Sequence, residues 1–229
     1  MMHGQFKAGR LKAGLTQKEA AAALGVSQPY LSQMEIGERP VTSELARSAA
    51  TLYRLPATAL PMPEPPRQGK VSEADQLARQ LAGLGYPGFG HVRPRKMNPA
   101  AVVLDAVLQK DLETRLAEAL PWVLLTYSDL DWSWLVRHAK LEDAQNRLGF
   151  LVAVAKSLAA ERPELEPAFR RLSAVEQQLE HARLAREDTL CRQSMPLAER
   201  GWLKENRSAL ARHWNLLTGL TIDHLSYAH

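Results

Sequence analysis

The chain has 229 residues, 45% of them hydrophobic, and a formal net charge of +4 at neutral pH. This length allows one or two domains, and the apolar fraction can fill a core. A single cysteine, Cys191, excludes an intramolecular disulfide framework. There is no secretory signal and no apolar run near the ~18 residues of a membrane span. We therefore expect a soluble cytoplasmic protein.

The charge is distributed unevenly along the chain. Residues 1–99 contain 13 Lys and Arg against 7 Asp and Glu, a net charge of +6, whereas residues 100–229 have a net charge of −2. A basic N-terminal part and a slightly acidic remainder fit a protein that binds DNA at one end and protein at the other.

Residues 16–35 have the pattern of two short helices joined by a tight turn. Thr16 and Glu19 have the spacing of a capping box at the start of the first helix. Gly25 should end that helix, because glycine tolerates the left-handed backbone of a C-cap. Ser27 is the predicted N-cap of the second helix, and Pro29 falls in its first turn.

The second helix carries a polar face of Gln28, Tyr30, Ser32 and Gln33. The DNA major groove is about 12 Å wide and admits one helix, whose side chains near the N-terminus read base edges. A Gln amide can donate to and accept from adenine at once. We therefore predict Gln28 and Gln33 as base contacts, with Tyr30 and Ser32 next or Tyr30 over the sugar-phosphate backbone. The alternative is a helical hairpin whose polar face is only solvated.

Residues 6–60 as a whole resemble the phage-repressor, or Xre-like, helix-turn-helix family. The matching residues are Arg10, Gly14-Leu15-Thr16-Gln17, Leu24-Gly25-Val26-Ser27, Leu31-Ser32, Glu35, Gly37, Arg39-Pro40 and Leu45-Ala46. The resemblance implies a compact five-helix DNA-binding domain. Ala20, Ala21 and Met34 depart mildly from the family pattern, but they stay apolar and should affect packing more than function.

The resemblance also suggests roles for individual residues. Arg10 is expected to pair with Glu35 and so tie the first helix to the second helix of the motif, the alternative being a phosphate contact by Arg10. Gln17 is expected to contact backbone phosphate from a helix N-terminus. By charge, Lys7, Lys18 and Arg39 are candidate phosphate partners, or else solvated cations. The predicted DNA-binding set is Gln17, Lys18, Ser27, Gln28, Tyr30, Ser32, Gln33 and Arg39.

The chain divides at a proline-rich segment. A further amphipathic helix is predicted over 42–54 and a short last helix over 56–60, a pair that in the family often helps form the dimer contact. Prolines at 61, 63, 65 and 66, followed by Gly69, indicate an extended linker. We predict a DNA-binding domain over 1–60, a linker over 61–71, and a partner-binding or dimerisation domain over 72–229.

The second domain has an almost wholly helical pattern, so the predicted fold class is all-α for the whole chain. Helices are expected over 72–84 with a Ser72 cap, over 99–119 with an Asn98 cap, and over 121–139, 141–161 and 163–185, with a further helical stretch or pair over 197–217. Trp122, Trp132 and Trp134 predict either a local core or a groove for a partner.

Residues 85–99 are too rich in Gly and Pro to form a helix. This segment carries Arg93, Arg95 and Lys96 beside two prolines. An extended basic loop could follow the DNA backbone or enter a minor groove. It could equally be a solvated loop that shapes a partner pocket.

The sequence gives little support for catalysis. Its histidines lack the i,i+4 spacing of a metal site, and Cys191 has no identifiable activating His. No Gly-rich phosphate loop is present. We expect no metal, no cofactor and no enzymatic activity.

Three functional hypotheses remain at this stage. The first is a transcriptional repressor that binds a palindromic DNA operator as a homodimer; in one version, suggested by the resemblance, it is an antitoxin whose second domain binds a cognate toxin and which represses its own operon. The second is a ligand-sensing regulator with a small-molecule pocket in the Trp-rich segment. The third is an enzyme fused to a DNA-binding module.

Overall fold

A computed structural model describes residues 3–65, 73–190 and 192–225. The chain forms two compact units, Met1–Glu64 and Pro65–His229. The boundary falls within the predicted linker, of which residues 66–71 lie outside the described residues. The all-α prediction is confirmed. Within the described ranges, no helix is both long enough and apolar enough to span a bilayer.

The described residues of the N-terminal unit form four α-helices and one 3-10 helix. They are α1 (His3–Lys12), α2 (Gln17–Leu24), α3 (Gln28–Ile36), α4 (Ser43–Leu52) and the 3-10 helix Ala57–Ala59. Buried side chains from all four α-helices form one core: Phe6, Ala20, Ala21, Leu31, Met34, Ala49 and Tyr53. The rings of Phe6 and Tyr53 meet edge to face with their centroids 5.6 Å apart. The three residues that depart from the family pattern are therefore core residues.

The C-terminal unit is a larger helical assembly. Its α-helices are α5 (Ala74–Gly83), α6 (Pro99–Val107), α7 (Thr114–Thr126), α8 (Trp132–Leu141), α9 (Gln145–Ala160), α10 (Glu166–Glu180), α11 (Leu197–Asn206) and α12 (Ala209–His213). The 3-10 helices are Pro87–Phe89, Pro163–Leu165 and Ile222–His224. Two-residue strands, β1 (Asp188–Thr189) and β2 (Leu216–Leu217), pair in parallel.

Helix α9 lies at the centre of this unit. It is buried on almost every side and packs against α7, α8 and α10. Gly149 allows a further contact, with the residue that follows α12, because a Cβ atom there would lie 2.3 Å from the ring of the fully buried Trp214. Such a helix has no polar face, which is typical of the core of a larger domain.

The prediction of one helix over 99–119 is wrong. Asn98 caps α6 as expected, its side-chain oxygen accepting the N–H of Ala100 at 3.0 Å. However, α6 ends at Val107 and α7 starts at Thr114. Helix α7 also runs through Pro121, where a separate helix was predicted to begin. Ser72, the predicted cap of α5, lies outside the described residues.

Main-chain carbonyl groups at the end of α6 accept hydrogen bonds from a side chain that is distant in the sequence. The Arg147 guanidinium donates to the carbonyls of Val107 and Gln109 at 3.0 and 2.8 Å. The same guanidinium forms a two-point ion pair with Asp188, at 2.7 and 2.8 Å. One α9 side chain thus joins the end of α6 to β1.

Candidate DNA-binding surface

The turn between α2 and α3 is fixed by capping at both ends. The Thr16 hydroxyl accepts the N–H of Glu19, and the Glu19 carboxylate accepts the N–H of Thr16. Gly25 ends α2 with φ of +69°. Ser27 caps α3 by accepting the N–H of Tyr30 at 3.3 Å. The predicted capping residues are therefore confirmed.

Helix α3 has a buried side and an outward side. Leu31, Met34 and Glu35 are buried. Gln28 is exposed, and Ser32 and Gln33 are half-buried on the outward arc. Positions three and four apart share one face of a helix. Gln28 and Ser32, four positions apart, therefore lie on one face of α3, and Gln33 lies next to Ser32 on the part of the helix that the core does not bury.

Tyr30 lies apart from those three residues, on the side of α3 that faces α4. Its half-buried ring packs against the N-terminal core. The guanidinium carbon of Arg39 lies 5.0 Å from the centre of that ring, in cation–π geometry. The structure thus brings Tyr30 and Arg39 together as a pair, with the Arg39 side chain exposed to solvent.

An open groove of about 350 Å³ separates α3 from α4. It is lined by Leu24, Val26, Ser27, Tyr30, Thr42, Glu44, Leu45 and Ser48. Its base is apolar and its rim carries hydroxyl groups, so Tyr30 and Ser27 also form part of a wall of the groove.

A buried ion pair connects α1 to α3. Arg10 of α1 makes a two-point contact with Glu35, at 2.6 and 3.1 Å, and donates to the carbonyl of Leu15 at 2.8 Å. Side-chain exposure is 7% for Arg10 and 1% for Glu35. The pKa of Arg10 is raised by its hydrogen bond to Glu35. Burial alone would raise the pKa of Glu35, but hydrogen bonds from Arg10 and Gln17 outweigh burial, so its pKa is lowered.

Gln17 belongs to this network. Its side-chain nitrogen donates to Glu35 at 2.9 Å, so the side chain has a structural partner that local sequence patterns do not reveal. Gln17 is nevertheless the first residue of α2, where helix geometry leaves main-chain N–H groups without an intrahelical acceptor. A phosphate could bind these N–H groups next to the exposed side chain of Lys18.

Ile36 was missed by the sequence analysis. It is 62% exposed, one turn beyond Ser32 on the outward side of α3. An apolar side chain at such a position can pack against the methyl group of thymine. The helical phase of positions 29, 32 and 36 is the signal that could have identified it.

The three tryptophans of the predicted Trp-rich segment each have local partners. Trp122 packs against the rings of Tyr86 and Tyr127, with centroids 5.4 and 6.4 Å away. The indole of Trp132 donates to the carbonyl of Ser128 at 2.9 Å. Trp134 stacks on the imidazole of His138. Within the described ranges, no cluster of His, Cys, Asp and Glu is suited to hold a metal ion.

Comparison with known proteins agrees with this geometry. Residues 6–60 match the helix-turn-helix family. These residues form a helix-turn-helix domain. Domains of this family bind DNA.

The chain is also similar to the propionyl-CoA carboxylase regulator of Cereibacter sphaeroides. The two are 43% identical over 81 residues, which is 35% of this chain and 16% of that protein. A segment of 81 residues cannot fit within residues 1–60, so part of it lies beyond the helix-turn-helix domain. No solved structure is significantly similar to the chain.

Proposed function

We propose that this protein is a sequence-specific transcriptional repressor, without catalytic activity, that binds a palindromic operator as a homodimer. The observation that carries the proposal is the outward side of α3, which a capped turn and a buried ion pair hold in place. One chain presents one such helix. Two chains related by two-fold symmetry would read half-sites about 34–36 Å apart.

Each predicted residue has a role in this proposal. Gln28 and Gln33 read bases, and Ser32 supports them from the same side of α3. Main-chain N–H groups at Gln17 and the side chain of Lys18 bind phosphate on one side. Tyr30 with Arg39, and Ser27 at the start of α3, contact the backbone on the other side.

The partner of the C-terminal unit has two candidates. As an autoregulating antitoxin, the protein would bind a cognate toxin through residues 72–229, a proposal supported by the resemblance of small Xre-like proteins to antitoxins. As a ligand-sensing regulator, it would bind a small molecule there. The second candidate is favoured by the similar protein from Cereibacter sphaeroides, which is named a propionyl-CoA carboxylase regulator.

Selection of bound sequences from a random DNA library tests the core of the proposal. We expect enrichment of one inverted repeat. Replacing Gln28 and Gln33 with Ala should then reduce discrimination for that site by about 1–3 kcal/mol per bidentate contact, with non-specific binding unchanged. The matched control replaces Gln177 and Gln178, two exposed glutamines of α10. Full discrimination in the Gln28/Gln33 variant would place the base-reading residues elsewhere.

A growth assay tests the antitoxin candidate, and a fluorescence titration tests the ligand-sensing candidate. If the protein is an antitoxin, expression of a neighbouring gene alone should arrest growth, and co-expression of this chain should restore it. If it is a ligand sensor, an acyl-CoA or related metabolite should quench its Trp fluorescence and lower its affinity for the selected DNA.

Sedimentation of the full chain with the selected DNA tests the expected stoichiometry of two chains per site.

A further inference from the structure

The loop between the 3-10 helix Pro87–Phe89 and α6 concentrates positive charge in the C-terminal unit. Arg93, Arg95 and Lys96 lie within four residues, and all three side chains are exposed. The nearest acidic residues in the sequence are Asp75 and Asp105. Arg79 of α5 adds a fourth exposed cation, and its main chain contacts the loop directly.

Seven of the described Lys and Arg side chains in the same unit form ion pairs with carboxylates, whereas the cations of this loop do not. Among the described residues, ion pairs join Arg147 to Asp188, Lys156 to Glu176, Arg170 to Glu166, Arg183 to Glu180, Arg186 to Asp143, Arg192 to Glu199 and Arg207 to Glu187. Over the same described residues, no such partner lies within 4 Å of Arg93, Arg95 or Lys96. Three like charges so close together repel one another unless an anion neutralises them.

The loop backbone is held in a defined position. The N–H of Arg95 donates to the carbonyl of Arg79 at 2.8 Å. The Arg95 carbonyl rests directly on Gly83, where a Cβ atom would lie only 2.2 Å away. Pro94 disfavours the helical conformation for Arg93, so the chain is extended there. The contact at Gly83 therefore holds the main chain of the loop against α5.

We propose that the basic loop, residues 91–96, is a second DNA contact, which binds backbone phosphates beside the operator. Arg93 and Arg95, two apart in an extended chain, point to the same side. Guanidinium groups bind phosphate oxygens through paired hydrogen bonds. This inference rests on the proposed function, because DNA held by the N-terminal unit is presented to the loop at high effective concentration.

The length of the linker sets how far the loop can reach. The eleven residues of the predicted linker, 61–71, can extend at most about 40 Å, which corresponds to about 12 base pairs at 3.4 Å each. A DNA fragment of about 60 base pairs therefore offers enough flanking duplex for both units of a dimer. Phosphate contacts carry no sequence information, so the loop should strengthen binding to operator and random DNA alike.

The experiment compares full-length wild type with a triple variant, R93Q/R95Q/K96Q, on duplexes of about 60 base pairs. One duplex carries random sequence and one carries the selected operator. Affinity is measured between about 50 and 300 mM KCl. Each lost phosphate contact should reduce the slope of log K against log salt by about 0.9, so we expect a reduction of about 2–3 per chain and at least a tenfold loss near 100 mM salt.

A control variant, R137Q/K140Q/R171Q, removes three exposed cations of the same unit and changes the net charge equally. We expect its slope to stay close to wild type. An equal loss in the control, or an unchanged slope in the loop variant, would overturn the proposal. The same comparison is made with single-stranded RNA and with vesicles of anionic phospholipid. An effect of the loop variant confined to either of these would also overturn the proposal.

Failure of this inference can be told apart from failure of the proposed function. If the selection enriches no sequence, the proposed repressor function fails, while the slope on random DNA still tests the loop. If the operator is found and the Gln28/Gln33 variant loses discrimination, but the loop variant binds like wild type, only the loop proposal fails. Equal thermal unfolding of the loop variant and wild type would exclude loss of fold as the cause of any effect.

Discussion

Both units of this protein hold an arginine in a two-point ion pair, but only one pair lies beneath a candidate binding surface. Arg10 pairs with Glu35 of α3, the helix that carries the predicted base-reading residues. Arg147 pairs with Asp188 in the C-terminal unit and connects α9, β1 and the end of α6. The same chemistry therefore positions a surface in one unit and joins distant chain segments in the other.

The two pairs also differ in burial. Side-chain exposure is 7% and 1% for Arg10 and Glu35, against 11% and 16% for Arg147 and Asp188. A charge that loses its partner costs more free energy when it is shielded from water. The comparison predicts a larger loss in the N-terminal unit, and one that extends to DNA binding.

Replacing Arg10 with Met should have the largest effect. It leaves the Glu35 carboxylate buried without a cation, which costs about 3–5 kcal/mol in the stability of the N-terminal unit. Urea unfolding of the full chain should show an early transition for that unit, and DNA binding should be lost with it. A double variant, R10M/E35L, removes both charges and should recover most of the stability. A single variant with a wild-type unfolding curve would contradict the importance of the pair.

Replacing Arg147 with Met should cost somewhat less, about 2–3 kcal/mol, because water can partly solvate the remaining Asp188. The loss should appear in the unfolding of the C-terminal unit. Affinity of the folded variant for a short operator duplex should be unchanged at 25 °C. A variant that stays folded but no longer binds this DNA would break the comparison, since it would show that the C-terminal pair also controls the reading surface.

Two glycines sharpen the comparison within the C-terminal unit. Gly149→Ala introduces a methyl group 2.3 Å from the ring of Trp214 and should destabilise the unit by about 1–3 kcal/mol. Gly201→Ala in α11 meets open space and should stabilise it by about 0.5–1 kcal/mol, because Ala favours helix over Gly. Thermal unfolding of both variants measures the difference. Equal shifts of the same sign would mean that the core around Trp214 repacks freely.

Much of the N-terminal unit could be predicted because its signals are local. The Thr16–Glu19 capping box, Gly25 and Ser27 define the helix-turn-helix from residues only a few positions apart. The all-α class of the whole chain was also predictable from helical periodicity. The match to the helix-turn-helix family covers the same 6–60 segment that the sequence singled out.

The remaining features depend on contacts between distant residues. At the end of α6, the Val107 carbonyl accepts a hydrogen bond from Arg147, 40 positions later in the chain. Helical periodicity in the sequence does not reveal this contact. The bond from Gln17 to Glu35 spans 18 positions and gives a structural task to a side chain predicted to contact DNA. The backbone position of the basic loop depends on Gly83 and Arg79 of another helix. Sequence patterns thus indicated which residues were available, and tertiary contacts decided how they are used.

The smallest expected difference concerns two tyrosines, one in each unit. Within the described residues, the buried hydroxyl of Tyr53 has no hydrogen-bond partner, whereas that of Tyr127 donates to the carbonyl of Leu84 at 2.7 Å. Tyr53→Phe should therefore be neutral or stabilise the N-terminal unit by up to about 1 kcal/mol, because the ring contact with Phe6 is kept. Tyr127→Phe should cost about 1 kcal/mol, since it leaves a carbonyl without its donor.

Unfolding at alkaline pH is a second test of the difference between the Tyr53 and Tyr127 hydroxyls. Burial raises the pKa of Tyr53 to about 12, against about 10 in the unfolded chain. The neutral phenol is thus favoured by folding, and its contribution to stability is complete below pH 10 and lost as the pH rises toward 12. Tyr53→Phe should remove this part of the alkaline loss from the N-terminal transition. If Tyr53→Phe instead destabilises that unit as much as Tyr127→Phe destabilises the other, the Tyr53 hydroxyl has a hydrogen-bond partner in solution, and the two cores do not differ in this respect.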